Sequence, residues 1–413
     1  MKITIITHGI PNSQSEQANN DPLLFFKFFE KKRIKYNLIS IWDQDYNTSK
    51  KSRTLQEKYL KKNFKHLKYI KIINYKKTLA EKITRFFNRI FSDKSYYFFG
   101  NKKIHKEVQK QVKFLKSKLI LNFYELPSSI SHNVNSNIKI FNYLGVYRKS
   151  SEILKIKNLI KNKNIFSFFK ILNAFIYIFK IENLYLKFLK NAELNFCASK
   201  DTYDYFKKKN NNMYYSGPLS TDRSKIEKRE KKIPTVLMIG ALTSNFMQDS
   251  VTLIANSAEQ LNEIYKKNKF KLRIVGKYKS SRENIKKLNY PWVEFVGWVK
   301  SAEEEYSKAS FIFVPNSLAI GARTKILEAA SSKVCIITTK ENIKNFFPNL
   351  INFKDIIVTK NMNEFCKNFE KVLVDKNLRK KLVKSAKDKY YKYYSPEKCL
   401  RNNFNLIKKY AKA

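Results

Sequence analysis

Short apolar runs alternate with longer stretches of helical spacing along most of this chain, and that alternation admits few folds other than a parallel sheet with crossover helices. In the first half the runs that read as strands are Lys2–Thr7, Asn37–Trp42, Tyr69–Ile73, Leu119–Phe123, Ile138–Tyr143 and Leu194–Ala198. Between them, Leu23–Lys32 and Lys103–Leu115 carry helical periodicity. Ser216-Gly217-Pro218 marks a turn, and the charged, apolar-poor stretch Asp222 to Lys232 after it reads as a linker. The pattern then restarts with Thr235–Ile239, Lys271–Val275, Val293–Val296, Phe311–Val314, Val334–Thr338 and Asp355–Val358. The expected architecture is α/β: two Rossmann-like, doubly wound parallel-sheet lobes facing a cleft. The boundaries read as an N-terminal lobe over 1–218, a linker over 219–232 and a C-terminal lobe over 233–392. A closing helix, Pro396–Tyr410, lies within 393–413 and is expected to return to the first lobe.

At 413 residues, with 43% hydrophobic and 15% aromatic content, the chain can bury two ordinary cores, which excludes a disordered protein. Its four cysteines form no C-x-x-C pair and read as reduced core thiols. The four histidines are scattered, and no paired acidic cluster marks a divalent-ion site, so neither a metal nor a cofactor is expected. Met1–Thr7 reads as a first strand and not as a signal peptide, and no run is long and uncharged enough to span a membrane; the expected location is cytoplasmic. The net charge of +49 would draw the protein to any polyanion. Lys, Asn, Ile, Phe and Tyr are abundant throughout while Gly and Pro are scarce, so this charge reads as a general bias of composition. No specific nucleic-acid partner is expected.

Three strands of the second half end on glycine (Gly240, Gly276 and Gly297) in a chain that has only 8 of them. Glycine at a strand's carboxyl end permits a sharp turn and lets a ligand approach the backbone, so a ligand crevice is expected on that sheet edge. The segment after Val314 is more specific. Asn316 and Gly321 lie in a loop, and a helix begins near Thr324, its expected N-cap, with Arg323, Lys325 and Glu328 at its mouth. A nucleoside diphosphate sugar needs backbone N–H groups, a positive helix end and cations for its phosphates, and a carboxylate for its ribose diol. Glu328, three residues after Lys325, projects from the same side of the helix.

Gly321-x-Arg323-x-Lys325-Ile-Leu-Glu328-Ala resembles the donor-site motif of bacterial family 1 glycosyltransferases of the GT-B fold, in the branch carrying G-x-R-x-K-x-x-E. The resemblance implies that Arg323 and Lys325 contact the diphosphate and Glu328 the ribose. Val293-Glu-Phe-Val-Gly297-Trp-Val299 resembles the family's strand and loop beside the nucleotide base, with the backbone near Val299 in contact with it; Gly240 and Gly276 fall at two further glycine turns. In the first lobe, Gly9, Ser13 and Ser15 stand where the family's loop after the first strand lies, and Tyr143-Leu-Gly145-Val-Tyr147-Arg148 where a catalytic histidine or acid is frequent. Ile320 replaces a second glutamate found in many members. His8, at the end of the first strand, and Glu125, after the fourth, are the candidates for proton transfer.

The implied function is transfer of a sugar from a UDP-, GDP- or ADP-sugar to a glycan or lipid-linked acceptor of the cell surface, such as lipopolysaccharide or capsule. Alternative readings are a sugar-nucleotide 2-epimerase of the same fold, a basic nucleic-acid-binding protein and a non-catalytic homologue. The aromatic, lysine-flanked stretch Ile165–Phe179 reads as a helix packed on the first lobe's sheet. Phe86–Phe99 reads as a segment that docks peripherally on the anionic inner face of the membrane.

Overall fold

The computed structural model describes residues 2–11, 20–43, 50–75, 84, 88, 94, 101–132, 134, 137–145, 156, 165–229, 231–242, 244–277, 287–317, 321, 323–346 and 349–412. They form two compact units, one comprising Met1–Gly217 with Leu400–Ala413 and the other Pro218–Cys399. The stretch 219–232 therefore packs as part of the second unit.

The first unit is built on seven strands: β1 (Ile3–His8), β2 (Tyr36–Asp43), β3 (Leu67–Tyr75), β4 (Leu119–Phe123), β5 (Lys139–Leu144), β6 (Leu194–Cys197) and β7 (Met213–Tyr215). They lie in the order β3-β2-β1-β4-β5-β6-β7, all pairs parallel. β7 has no counterpart among the strands expected from sequence, because its three residues are too few to carry a pattern. Helices cover both faces, so strands such as LILNF are buried along their whole length.

One polar feature crosses this interior. Asn122, Asn142 and Asn195 sit at paired positions of β4, β5 and β6 and are fully buried. Asn122 Nδ2 donates to Asn142 Oδ1 (2.9 Å) and Asn142 Nδ2 to Asn195 Oδ1 (2.8 Å). Asn195 then donates to the Leu189 and Asn212 carbonyls, and Ser131 Oγ donates to Asn122 Oδ1. A one-residue slip of any strand would break the whole ladder, so it fixes register in strands whose apolar residues would tolerate a shift.

The helix Ile165–Lys190 corrects one expectation from the sequence. Ala174, Tyr177, Ile181, Leu184, Tyr185 and Phe188 form its buried stripe, but Leu172, Phe175 and Phe179 are 38%, 45% and 77% exposed. The strong apolar content had hidden a second face. The aromatic residues of 86–99 lie outside the described residues. Near the chain's end, Phe404 of the helix Pro396–Lys412 packs edge-on against Phe28 and Phe29, with centroids 5.7 and 5.8 Å away.

The second unit holds β8 (Thr235–Ile239), β9 (Lys271–Val275), β10 (Val293–Gly297), β11 (Phe311–Val314), β12 (Cys335–Thr339) and β13 (Ile357–Thr359). Their order is β10-β9-β8-β11-β12-β13, again parallel throughout. Side chains alternate between two cores. Val236, Met238, Phe311 and Phe313 face one, and Leu237, Ile312, Val314 and Ile336 the other. In both sheets the chain reverses its direction of winding at the centre, between β1 and β4 and between β8 and β11. The carboxyl ends of these central strands are where ligands of such sheets bind. The four cysteines are free and buried. Among the described residues no helix is long and apolar enough to cross a membrane.

The asparagine ladder gives a direct test. Asn142→Leu keeps the volume but leaves donors and acceptors of Asn122 and Asn195 unpaired. We expect a loss of about 2–4 kcal/mol in urea unfolding of the first unit; a change under about 0.5 kcal/mol would show that the ladder does not hold the register.

Candidate functional site

Gly240 directly follows β8 and Gly276 directly follows β9. Both have a φ of left-handed sign, +150° and +143°, and their backbones meet: a Cβ at Gly276 would lie 1.8 Å from the Gly240 carbonyl oxygen. At Gly240 a Cβ would lie 2.6 Å from Lys325 Nζ. At Gly276 the Gly240 backbone leaves no room for a side chain, and at both positions the positive φ favours glycine; the Lys325 ammonium comes close to the same turns.

Lys325 reaches this point from the helix Thr324–Ser331, which follows β11. The loop between them is pinned. The Asn316 side chain donates to the Phe246 carbonyl, and its own carbonyl accepts from Thr339 Oγ1 and Asn342 Nδ2. Ser317 donates through its N–H and Oγ to the Asp249 carboxylate (2.7 and 2.8 Å). Arg323 takes the N-cap position in place of the expected Thr324, which is the first helical residue. The Arg323 side chain makes no cap hydrogen bond to that first turn, so the positive end of the helix faces the loop without a side-chain cap from it.

Two cations converge here. The Arg323 guanidinium lies 4.2 Å over the Phe246 ring and donates from Nε to Asn342 Oδ1 (3.1 Å). Lys325 Nζ lies 3.2 Å from Met247 Sδ, a weak acceptor, and among the described residues it meets no carboxylate. Desolvation lowers Arg323 to about 10 against a small opposing pull from Asp249. Desolvation, and then the neighbouring Arg323, lowers half-buried Lys325 to about 8, opposed by Glu328. Phe246 and Met247 belong to the helix Asn245–Asn256, whose N-cap Ser244 accepts from the Met247 N–H. The helix N-terminus, two desolvated cations and closely approachable glycine backbone suit a doubly charged phosphate ligand.

Of the residues singled out in the sequence, Gly240, Gly276, Arg323 and Lys325 gather at this edge. Gly321 stands in the same loop with φ 74°. Asn316 is 4% exposed, and its amide serves the loop's own backbone instead of facing a ligand. Glu328 is held by Arg223, whose Nε donates to Oε2 at 2.8 Å. Val299 packs against the core under β10, beside Trp298, which is 67% exposed. Ile320 lies outside the described residues, as do Ser13, Ser15, Tyr147 and Arg148. Phe246, Met247 and Arg223 were not foreseen, since no local pattern ties them to the helix at Thr324.

In the first unit, His8 ends β1 and Glu125 begins the helix after β4, its neighbour in the sheet. Gly9, with φ 88°, donates its N–H to the Ile41 carbonyl and accepts from Thr7 Oγ1. Tyr124, which follows β4 and directly precedes Glu125, has φ 70° and ψ −173°, a region otherwise kept for glycine. Its hydroxyl donates to Asp21 Oδ2 (2.8 Å), and burial raises that carboxyl to about 7. No sequence signal announces this pair.

Among curated proteins none matches the chain by sequence. Residues 233–375 match the family model described as "Glycosyl transferases group 1". Anabaena HepE, solved in complex with UDP, superposes with a TM-score of 0.67 at 10% identity, covering 99% of this chain and 100% of that one. Sucrose-phosphate synthase from Thermosynechococcus elongatus superposes with a TM-score of 0.68 at 14% identity over 99% and 98%. WaaG, a glycosyltransferase involved in lipopolysaccharide biosynthesis, gives 0.58 at 12% over 96% and 98%. Residues 233–375 thus form a glycosyltransferase group 1 domain, and the chain has the two-lobed GT-B fold.

The strain at Lys325 sets a pH test. Its folded pKa lies below the ordinary 10.5, so the folded state carries a penalty that is full below about pH 8 and fades as pH rises toward 10.5. Lys325→Met should therefore stabilise the ligand-free protein by ~2 kcal/mol at pH 7, and the gain should disappear near pH 10.5. Thermal melting at both pH values reads this; a destabilised variant at pH 7 would show that the ammonium is well solvated.

Proposed function

We propose that the chain is a glycosyltransferase that binds a nucleoside diphosphate sugar on its second unit, with the diphosphate against Arg323, Lys325 and the first turn of the helix Thr324–Ser331. The observation that carries the reading is the pair of desolvated cations beside Gly240 and Gly276, at the carboxyl ends of the central strands. As the anomeric carbon–oxygen bond breaks, negative charge builds on the leaving diphosphate, and these two cations stabilise it. Glu328 accepts from the ribose hydroxyls, and the backbone at Val299 meets the base. Asn316 and Gly321 shape the loop around the phosphates. The donor is a UDP-, GDP- or ADP-sugar; the chemistry asks for no cofactor.

The acceptor binds on the first unit, where Gly9, Ser13 and Ser15 form its loop and His8 or Glu125 takes the proton of the attacking hydroxyl. A glycan carried on a lipid fits the exposed ridge of Leu172, Phe175 and Phe179 in a chain of net charge +49, which would rest on the anionic inner face of a membrane.

Two measurements test these readings. In a thermal-shift panel of UDP, GDP, ADP and CMP, one nucleoside diphosphate should stabilise the protein by roughly 3 kcal/mol at a hundredfold excess over its Kd. The shift should fall by about half in Glu328→Ala, and a panel with no response would overturn the donor site. In sedimentation with phosphatidylglycerol vesicles, Phe175→Glu with Phe179→Glu should weaken binding about tenfold or more; equal binding of the variant would remove the ridge from the account.

A further inference from the structure

The Glu328 carboxylate is held by Arg223, and the buried Tyr306 side chain is its neighbour. Arg223 comes from the segment that leads into β8, and its Nε donates to Glu328 Oε2 at 2.8 Å. Its backbone N–H donates to Ser331 Oγ (3.1 Å), tying the same residue to the last turn of Glu328's own helix. The guanidinium lies 4.8 Å over the Tyr306 ring, and Glu303 approaches Nη1 at 3.8 Å. The pair is well sheltered, with side chains 10% and 17% exposed. Arg223 is thus fixed by its backbone, by an aromatic face and by a second carboxylate, all independently of Glu328.

A carboxylate has about four lone-pair sites. Arg223 uses one N–H on one oxygen, not the two-pronged fork an arginine can form. Among the described residues no group donates to Oε1. A sheltered ion pair of this kind is poor at stabilising a fold, because desolvation offsets most of the attraction. It is well suited to holding a carboxylate at one angle. The arrangement leaves one oxygen open on a carboxylate that cannot swing away.

We propose that Arg223 is a positioning residue of the donor site: by holding Oε2 of Glu328, it presents Oε1 to the ribose diol of a nucleoside diphosphate. This inference rests on the donor-site reading given above. It makes Arg223 a determinant of the preference for ribose over a sugar that lacks the two hydroxyls, with no part in gripping the phosphates.

The experiment is isothermal titration of the full chain with UDP, GDP and ADP, each against its 2′,3′-dideoxy counterpart, and with inorganic pyrophosphate. The variants are Arg223→Met, Arg223→Lys and Glu328→Gln. In the unaltered protein the best nucleotide should bind at least about tenfold more tightly than its dideoxy form, as expected for hydrogen bonds to a charged acceptor. Arg223→Met should reduce this ratio to about twofold, leaving dideoxy and pyrophosphate affinities within about twofold; Arg223→Lys should recover part of the ratio, and Glu328→Gln should match Arg223→Met. A loss of pyrophosphate affinity equal to the nucleotide loss would make Arg223 merely structural and overturn the proposal. An unchanged ratio would show no role, and a larger one would show that Arg223 competes with the ribose; either overturns it too. The donor-site reading is judged separately, by whether the unaltered protein binds any nucleoside diphosphate and whether Lys325→Met abolishes it.

Discussion

Arg323 and Lys325 are like charges two residues apart, both drawn partly out of water, and the second unit must hold them there against their mutual repulsion. The displacement of Lys325 from 10.5 to about 8 corresponds to about 3 kcal/mol, roughly what one or two fully buried large side chains contribute. The two cores on either face of the β8–β13 sheet can carry that. Compensating carboxylates stand near but are tethered elsewhere. Asp249 is engaged by Ser317, and Glu328 by Arg223. Each already acts on a cation, Asp249 on Arg323 and Glu328 on Lys325, and closer approach would offset more of the positive charge that the proposed diphosphate site uses. The side chains that restrain Asp249 and Glu328 are therefore as much a part of the proposed site as the cations are.

The parallel sheet explains why such an arrangement can be assembled from distant segments. Every strand of each sheet ends on one edge, so the turns after β8, β9 and β11 must crowd together, and only residues that tolerate close backbone approach fit. Gly240 and Gly276 meet that demand in the second unit. In the first unit the corresponding edge has Gly9 after β1 but Tyr124 after β4, a tyrosine in a conformation otherwise reserved for glycine. The surroundings that hold Tyr124 there are visible: its N–H is bonded to the Tyr143 carbonyl, its hydroxyl to Asp21, and Gly145 lies against its ring. A strained backbone fixed from three sides at the carboxyl edge of a central strand is where such sheets place reactive or ligand-holding groups.

Legibility in the sequence followed the range of the forces involved. Strand and helix periodicity is local, so Leu119–Phe123, Thr235–Ile239 and Phe311–Val314 were readable to the residue. The glycine-ended strands and the Arg323, Lys325 and Glu328 spacing were readable because chain connectivity alone brings them to one edge. What escaped depends on contacts across long separations. Arg223 lies 105 residues from Glu328 and looked like one more charge in a linker. Phe246, beneath Arg323, comes from another strand-to-helix turn. The asparagine ladder of β4, β5 and β6 is invisible until register is known, for each asparagine alone reads as a polar break in an apolar run. The exposed face of the helix Ile165–Lys190 was missed for the opposite reason: its polar residues were too few to mark it.

Net charge, the most conspicuous property of the composition, says little about where the chemistry lies. The chain has 83 lysines and arginines, and a cation in water close to salt and solvent has only a weak, screened field. Lys61 and Lys266, each paired with a glutamate on an exposed helix face, are of this kind. Lys325 has the same ammonium, but it stands among Gly240, Met247 and Arg323, where the effective dielectric is lower and no described carboxylate meets it. There the same unit charge acts over a few ångströms with several times the energy it has in bulk water. Environment, and not the number of cations, separates the proposed anion site from the general basic surface, and that environment is built by two glycines, one thioether and one phenyl ring.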